Sequence, residues 1–235
     1  MTDPSGVHEH RAVRKNKRFH AQSSTAWSGS ATPSLHNLDL DGDKHVGEFE
    51  SHLIDGADVD ERDRDGATAL YLHADQGHAQ IVKLLLQERW QCDVNANDHV
   101  GRTALQMAAK GGHTEAVAAL LAAGANADHR DEAGETALYY ACAAGSAPVA
   151  RLLLEAGADV QATASKLGWS ALHAAAWRGH LEVVLVLNRF GADPHAMNHD
   201  GRTALDVAHK RTHAALLGAL ADHPPSQATF AALLR

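Results

Sequence analysis

Val100-Gly101-Arg102-Thr103-Ala104-Leu105 is followed by a run of small residues, then Gly112-His113, then the apolar stretch from Ala116 to Ala123. The same grammar recurs. Asp65-Gly66-Ala67-Thr68-Ala69-Leu70, Ala133-Gly134-Glu135-Thr136-Ala137-Leu138, Leu167-Gly168-Trp169-Ser170-Ala171-Leu172 and Asp200-Gly201-Arg202-Thr203-Ala204-Leu205 align with it. The tip glycines lie 35, 33, 34 and 33 residues apart. Gly-His returns at Gly77-His78 and Gly179-His180, and Gly-Ala-Asn or Gly-Ala-Asp at Gly124, Gly157 and Gly191. A fixed period in this range is the mark of a repeat architecture.

Each part of the unit has a physical task. The tip glycine suits a tight turn with positive φ. Thr or Ser two residues later is a helix N-cap, because its oxygen accepts an orphan backbone N–H. Gly77, Gly112, Gly145 and Gly179 are placed to end the first helix. Val149, Leu152, Leu153 and Ala156 give the second helix its apolar stripe. Each unit is therefore turn, helix, turn, helix. One such unit cannot bury its own apolar face, so neighbours must stack.

These residues resemble the ankyrin repeat family over about residues 32 to 220. The resemblance implies an all-α ankyrin-repeat solenoid of stacked helix-turn-helix units with short β-turn tips. Three departures stand out. Ala69, Ala104, Ala137, Ala171 and Ala204 replace the family's Pro, at little cost because Ala is the best helix former. The family's His after the Leu survives only as His173, with Tyr71, Gln106, Tyr139 and Asp206 in its place elsewhere. Extra residues fall between Gln87 and Cys92 and near Lys166-Leu167, where turns would absorb them.

The expected organisation is a disordered basic leader (1–31), a degenerate capping repeat (32–62), repeats at 63–97, 98–130, 131–163, 164–197 and 198–220, and a tail (221–235). In the capping repeat, Val46, Phe49, Leu53 and Ile54 form a stripe at helical spacing. Thr32-Pro33 looks like its N-cap and first helical residue. Gln227 to Leu234, beyond Pro224-Pro225, offers Phe230, Leu233 and Leu234 for a last short helix.

Composition narrows the functional classes. The chain has 235 residues, 45% of them hydrophobic and 5% aromatic, with 2 Cys, 18 His and a net charge of -8. Two cysteines make no disulfide scaffold, and a reducing compartment is expected, the cytoplasm or the nucleus. The eight-residue run from Ala116 to Ala123 is too short to span a bilayer, and no apolar stretch follows the basic leader as a secretory signal would. The charge is uneven. Residues 1–36 hold five basic against two acidic residues, net +3, and the rest holds 16 against 27, net -11. Arg11 to Arg18 reads as a solvated tail, with a nuclear-targeting or nucleic-acid contact as the sharper alternative. The acidic body argues against a broad phosphate-binding face.

A catalytic motif is missing. No His-Glu-x-x-His, Cys-x-x-Cys, Gly-x-Ser-x-Gly or phosphate-binding Gly loop occurs, so no enzyme is expected. His78, His113, His180 and His213 share one repeated position, which reads as structural rather than as a zinc site. Cys142 stands where other units have a core Ala.

Function then rests on what the array presents. The resemblance implies a non-enzymatic protein-interaction module, a monomeric scaffold or adaptor that holds a partner on the concave face of turn tips and first helices. Carried over by position, the partner-binding residues are Trp169, Trp177, Arg178, Arg202, Lys210, Arg211, Arg102 and Lys110. Trp and Arg dominate interface hot spots, so two tryptophans with a basic rim predict a partner with an apolar plug flanked by acidic groups.

One segment offers a second chemistry. Asp39-Leu40-Asp41-Gly42-Asp43-Lys44-His45-Val46-Gly47-Glu48-Phe49-Glu50 resembles an EF-hand calcium loop, with Asp39, Asp41, Asp43 and Glu50 at ligand positions. Lys44 stands where that loop needs Gly for its sharp turn, and its charge opposes a cation. The alternatives are a calcium-responsive adaptor and an acidic turn with no cofactor. Isothermal titration of the intact chain with calcium separates them: an ion site gives heat that Asp39→Ala abolishes, and an acidic turn gives none.

Overall fold

The computed structural model describes residues 35–37, 45–164, 166–208 and 213, all within the compact unit Thr32–Arg235. Nine α-helices are found among the described residues. They are α1 (Val46–Ile54), α2 (Ala69–Gln76), α3 (Ala79–Leu85), α4 (Ala104–Gly111), α5 (Thr114–Ala122), α6 (Ala137–Ala144), α7 (Ala147–Glu155), α8 (Ala171–Arg178) and α9 (Leu181–Arg189). The even-numbered first helices pack in one row, α2 on α4 on α6 on α8. The second helices pack in another, α1 on α3 on α5 on α7 on α9. The expected all-α solenoid is the fold.

Local chemistry explains the helix bounds. Thr68, Thr103, Thr136 and Ser170 cap α2, α4, α6 and α8, each hydroxyl oxygen accepting an N–H three residues on. Such caps contribute about 1 kcal/mol each. The first helices end on the expected glycines in left-handed conformation. Packing then joins the units. Leu85, Leu120, Leu153 and Leu187 form one fully buried column of the second helices, and Leu70, Leu105, Leu138 and Leu172 one of the first. Each such leucine contributes roughly 1.5–3 kcal/mol. Cys142 joins Ala74, Ala109 and Ala176 in a column of small buried residues, and burial pushes its thiol well up.

The turns are built from side-chain acceptors. Asp63, Asp98, Asp131 and Asn198 each take two amides on Oδ1, those two and four residues further on. In unit four Ala164 stands there instead, and the extra residue lengthens the tip. The Ala164 amide reaches the Trp169 carbonyl at 2.8 Å, five residues on, where Asp98 reaches Arg102, four on, at 2.9 Å. The other insertion forms a 3-10 turn, Glu88–Trp90, closed by Gln91 at φ 51°.

Two details differ from the sequence reading. Ile54 is 67% exposed and leaves the α1 stripe, whose buried members are Phe49 and Leu53. It is the last residue of α1. In unit five, residues 204–207 form turns rather than a described first helix, although Thr203 and Asp206 make the reciprocal cap bonds. The leader, Thr32-Pro33 and the tail lie outside the described residues.

Histidine rings stitch the stack. His36 Nε2 meets the Ala67 carbonyl at 3.0 Å, His113 that of Asp75 at 2.9 Å, and His129 that of Gly101 at 2.8 Å. His173 meets the Arg202 carbonyl at 3.0 Å and His180 that of Ala143 at 3.3 Å. A carbonyl only accepts, so each ring nitrogen there carries the proton and donates. Four of these five bonds cross between units, and His129 to Gly101 closes unit two on itself. Among the described residues no three His, Cys, Asp or Glu side chains gather as a metal site requires.

Gly77 shows the geometric consequence. Its φ is +77°, and a Cβ there would run into the His113 ring. Gly112 has a similar φ of +72°, but Ser146 replaces the histidine of the next unit, and its Oγ would lie 3.5 Å away. Either glycine changed to Ala should lose about 1–2 kcal/mol to left-handed strain. Gly77→Ala should lose about 1 kcal/mol more, the His113 hydrogen bond. Urea unfolding checks this; equal losses would show that the ring contact carries no stability.

Candidate functional site

The tips and first helices present one row of side chains per position. The residue after each tip glycine runs Ala67, Arg102, Glu135, Trp169, Arg202. The seventh position of the described first helices runs Asp75, Lys110, Ala143, Trp177. Apolar character concentrates in unit four. Trp177 is 51% exposed and Trp169 is half-buried. Their rings meet edge to face, with centroids 6.1 Å apart and planes at 73°. This arrangement suits the aromatic quadrupole. It also holds the Trp177 ring without burying it.

Trp169 is more enclosed than its tip position suggested, because it touches two rings. Besides Trp177 it lies 6.0 Å from His173. Leu167, just before the tip glycine on the same turn, is 56% exposed, as Val100 at the matching position of unit two is 44%. Leu167 was not among the expected site residues; its signal was an apolar side chain at a tip position. Tyr139 of α6 also belongs to this neighbourhood. Burial pushes its phenol up to about 12, with Glu135 adding to the rise and the Arg178 charge opposing it. Arg178 and Arg202 are exposed.

The remaining expected site residues sit elsewhere. Arg102 and Lys110 belong to unit two, with all of unit three between them and the tryptophans. Arg102 is bound within its own turn. Its Nη2 and Nε donate to Asp98 Oδ2 at 2.6 and 2.9 Å, and Tyr71 donates its hydroxyl to the same oxygen at 3.0 Å. Lys110 lies over the Tyr140 ring, 6.0 Å from its centroid. Lys210 and Arg211 lie outside the described residues, as do Asp39, Asp41 and Asp43. Glu50 lies on α1 and pairs with Arg89.

Residues 44–131, 89–164 and 108–198 each match the family model for ankyrin repeats. The chain belongs to the ankyrin repeat family. Ankyrin repeats are generally protein–protein interaction modules, typically without enzymatic activity. No curated protein matches the chain. No helix among the described residues is long and apolar enough to cross a membrane.

Asp98 is a buried ionised group of the second tip, with a side chain only 2% exposed. Burial works to raise its carboxyl, but the Arg102 hydrogen bonds and charge, with the Val100 amide, hold it below the ordinary carboxylate value. A lowered carboxyl binds fewer protons folded than unfolded. Its stabilisation is therefore present above about pH 3.9 and is lost as pH falls below that. Arg102→Ala should destabilise by about 2–3 kcal/mol at neutral pH, since it strips a charged partner from a buried carboxylate. It should also flatten the acid limb of stability between pH 4 and 2. Urea midpoints across pH check both; an unchanged acid limb would mean that Arg102 does not hold the carboxylate.

Proposed function

We propose that this protein is a non-enzymatic intracellular adaptor, working in the cytoplasm. It binds one protein partner on the concave face of units four and five. The observation that carries the reading is the edge-to-face Trp169–Trp177 pair, with the Trp177 ring exposed, beside Arg178 and Arg202. An aromatic ring held open to water on a rigid array is a preformed anchor, and little ordering cost is left for association. The cations flanking it, in a body of net negative charge, suit acidic groups around an apolar plug. Charge of this kind sets on-rate and salt sensitivity more than final affinity.

Affinity capture with mass spectrometry, comparing the intact chain with variants, tests the reading. Trp177→Ala is the cleaner variant, because Trp169 also packs on His173. It should weaken capture of the specific partner by roughly 30-fold or more, the hot-spot range, with an unchanged melting curve. A partner captured equally by the wild type, Trp177→Ala and the double Trp169→Ala, Trp177→Ala variant would place the binding surface elsewhere.

A further inference from the structure

His173 lies behind the Trp169 ring and joins unit four to unit five. It is 1% exposed. Its two nitrogens have different partners, which fixes its tautomer. Nδ1 takes the Ser170 amide at 3.3 Å and contacts the Ser170 hydroxyl at 2.7 Å. An amide N–H only donates, so Nδ1 is the bare nitrogen. Nε2 donates to the Arg202 carbonyl, 3.0 Å away, on the next unit's tip. The ring thus completes the α8 cap, holds the fifth turn and backs the aromatic anchor.

We propose that His173 gates the partner site by proton uptake: acid favours an open form in which the protonated ring leaves its buried place between Ser170 and the Arg202 carbonyl, so that the α8 cap and the fifth turn loosen and Trp169 is freed. The proposal rests on the binding site argued above. The proton comes from solvent and occupies the Nδ1 lone pair. Were the ring to stay in place, the Ser170 hydroxyl would turn to accept it, and the Ser170 amide would be left without its acceptor. A buried imidazolium would also have to form.

The surroundings oppose that charge more than they welcome it. Burial lowers the His173 affinity for protons; the Arg202 carbonyl and the Asp206 carboxylate act the other way and do not overcome it. Asp206 keeps its charge because the Thr203 amide and hydroxyl donate to it. On the packed elements, α6 carries no charged residue, and its titratable groups Tyr139, Tyr140 and Cys142 are all pushed up and neutral. Glu182 and Arg189 of α9 and Arg178 of α8 are exposed. The direction follows. The folded form is intact above the ordinary histidine value of about 6.5 and loses stability as pH falls below it.

Unit two supplies the control. Gln106 makes the same bonds without titrating: Oε1 takes the Thr103 amide at 2.8 Å and Nε2 donates to the Glu135 carbonyl at 2.6 Å. His173→Gln should therefore fold and ignore mild acid. Tryptophan fluorescence, its quenching by acrylamide, and amide exchange at residues 202–208 are followed on the full chain from pH 7.5 to 5, exchange being corrected for its intrinsic pH dependence. In the wild type, quenching and exchange should rise as pH falls below 6.5, by up to about tenfold per pH unit, and level off once the folded-state value is passed. His173→Gln should stay flat. The protein identified by capture should also leave the immobilised wild type faster at pH 5.5 than at 7.5, and leave His173→Gln equally at both. Identical titrations for the two chains overturn the inference, as does acid release that ignores the substitution. Failure of the binding site itself reads out separately, as capture indifferent to Trp177→Ala.

Discussion

Everything in this molecule depends on units finishing one another. A single turn-helix-helix unit leaves its leucine columns half covered and several backbone groups unanswered. Stacking covers the leucines, and polar bonds across the seams set the register. The backbone takes part: the His99, Glu132 and His199 amides donate to the tip carbonyls of Asp65, Val100 and Leu167 in the preceding units. A side-chain ladder runs beside it. Asp60, Asn95, Asp128 and Gln161 accept the amides of Asp93, Asn126, Asp159 and Asp193. The histidine rings add a third set.

The same constraint places the site. A rigid stack fixes every tip and every first helix, so the residues there are free to vary without altering the fold. Units one to three use those positions for Asp75, Arg102, Lys110 and Glu135, and unit two ties its Arg into its own turn. Unit four uses them for two tryptophans, with Leu167 on the same tip. Rigidity below and apolar exposure above are what an interaction surface requires.

Much of this was legible in the sequence. The repeat period, the Thr and Ser caps, the closing glycines and the buried Cys142 all follow from local rules, and both insertions fall in turns as expected. Contacts between units were not legible, because they join residues about one period apart whose pairing depends on the stacked geometry. No local pattern says that His113 covers Gly77, that Gln106 does the work of His173, or that Tyr71 reaches Asp98. The enclosure of Trp169 was not legible either, since it comes from Trp177 and His173. The recurrent histidines read as structural from their repeated position, and the stacked geometry supplies the carbonyls that five of the 18 bond.

The central claim is that seams between units, rather than the units themselves, hold the structure. Native-state hydrogen exchange on the whole chain tests it most directly. Units one to four each have two seams, but only units two and three have neighbours that are themselves flanked on both sides, so the slowest amides should be those of α4 to α7, with protection falling toward both ends. Uniform protection along the array, or a maximum in α1 or unit five, would contradict the account.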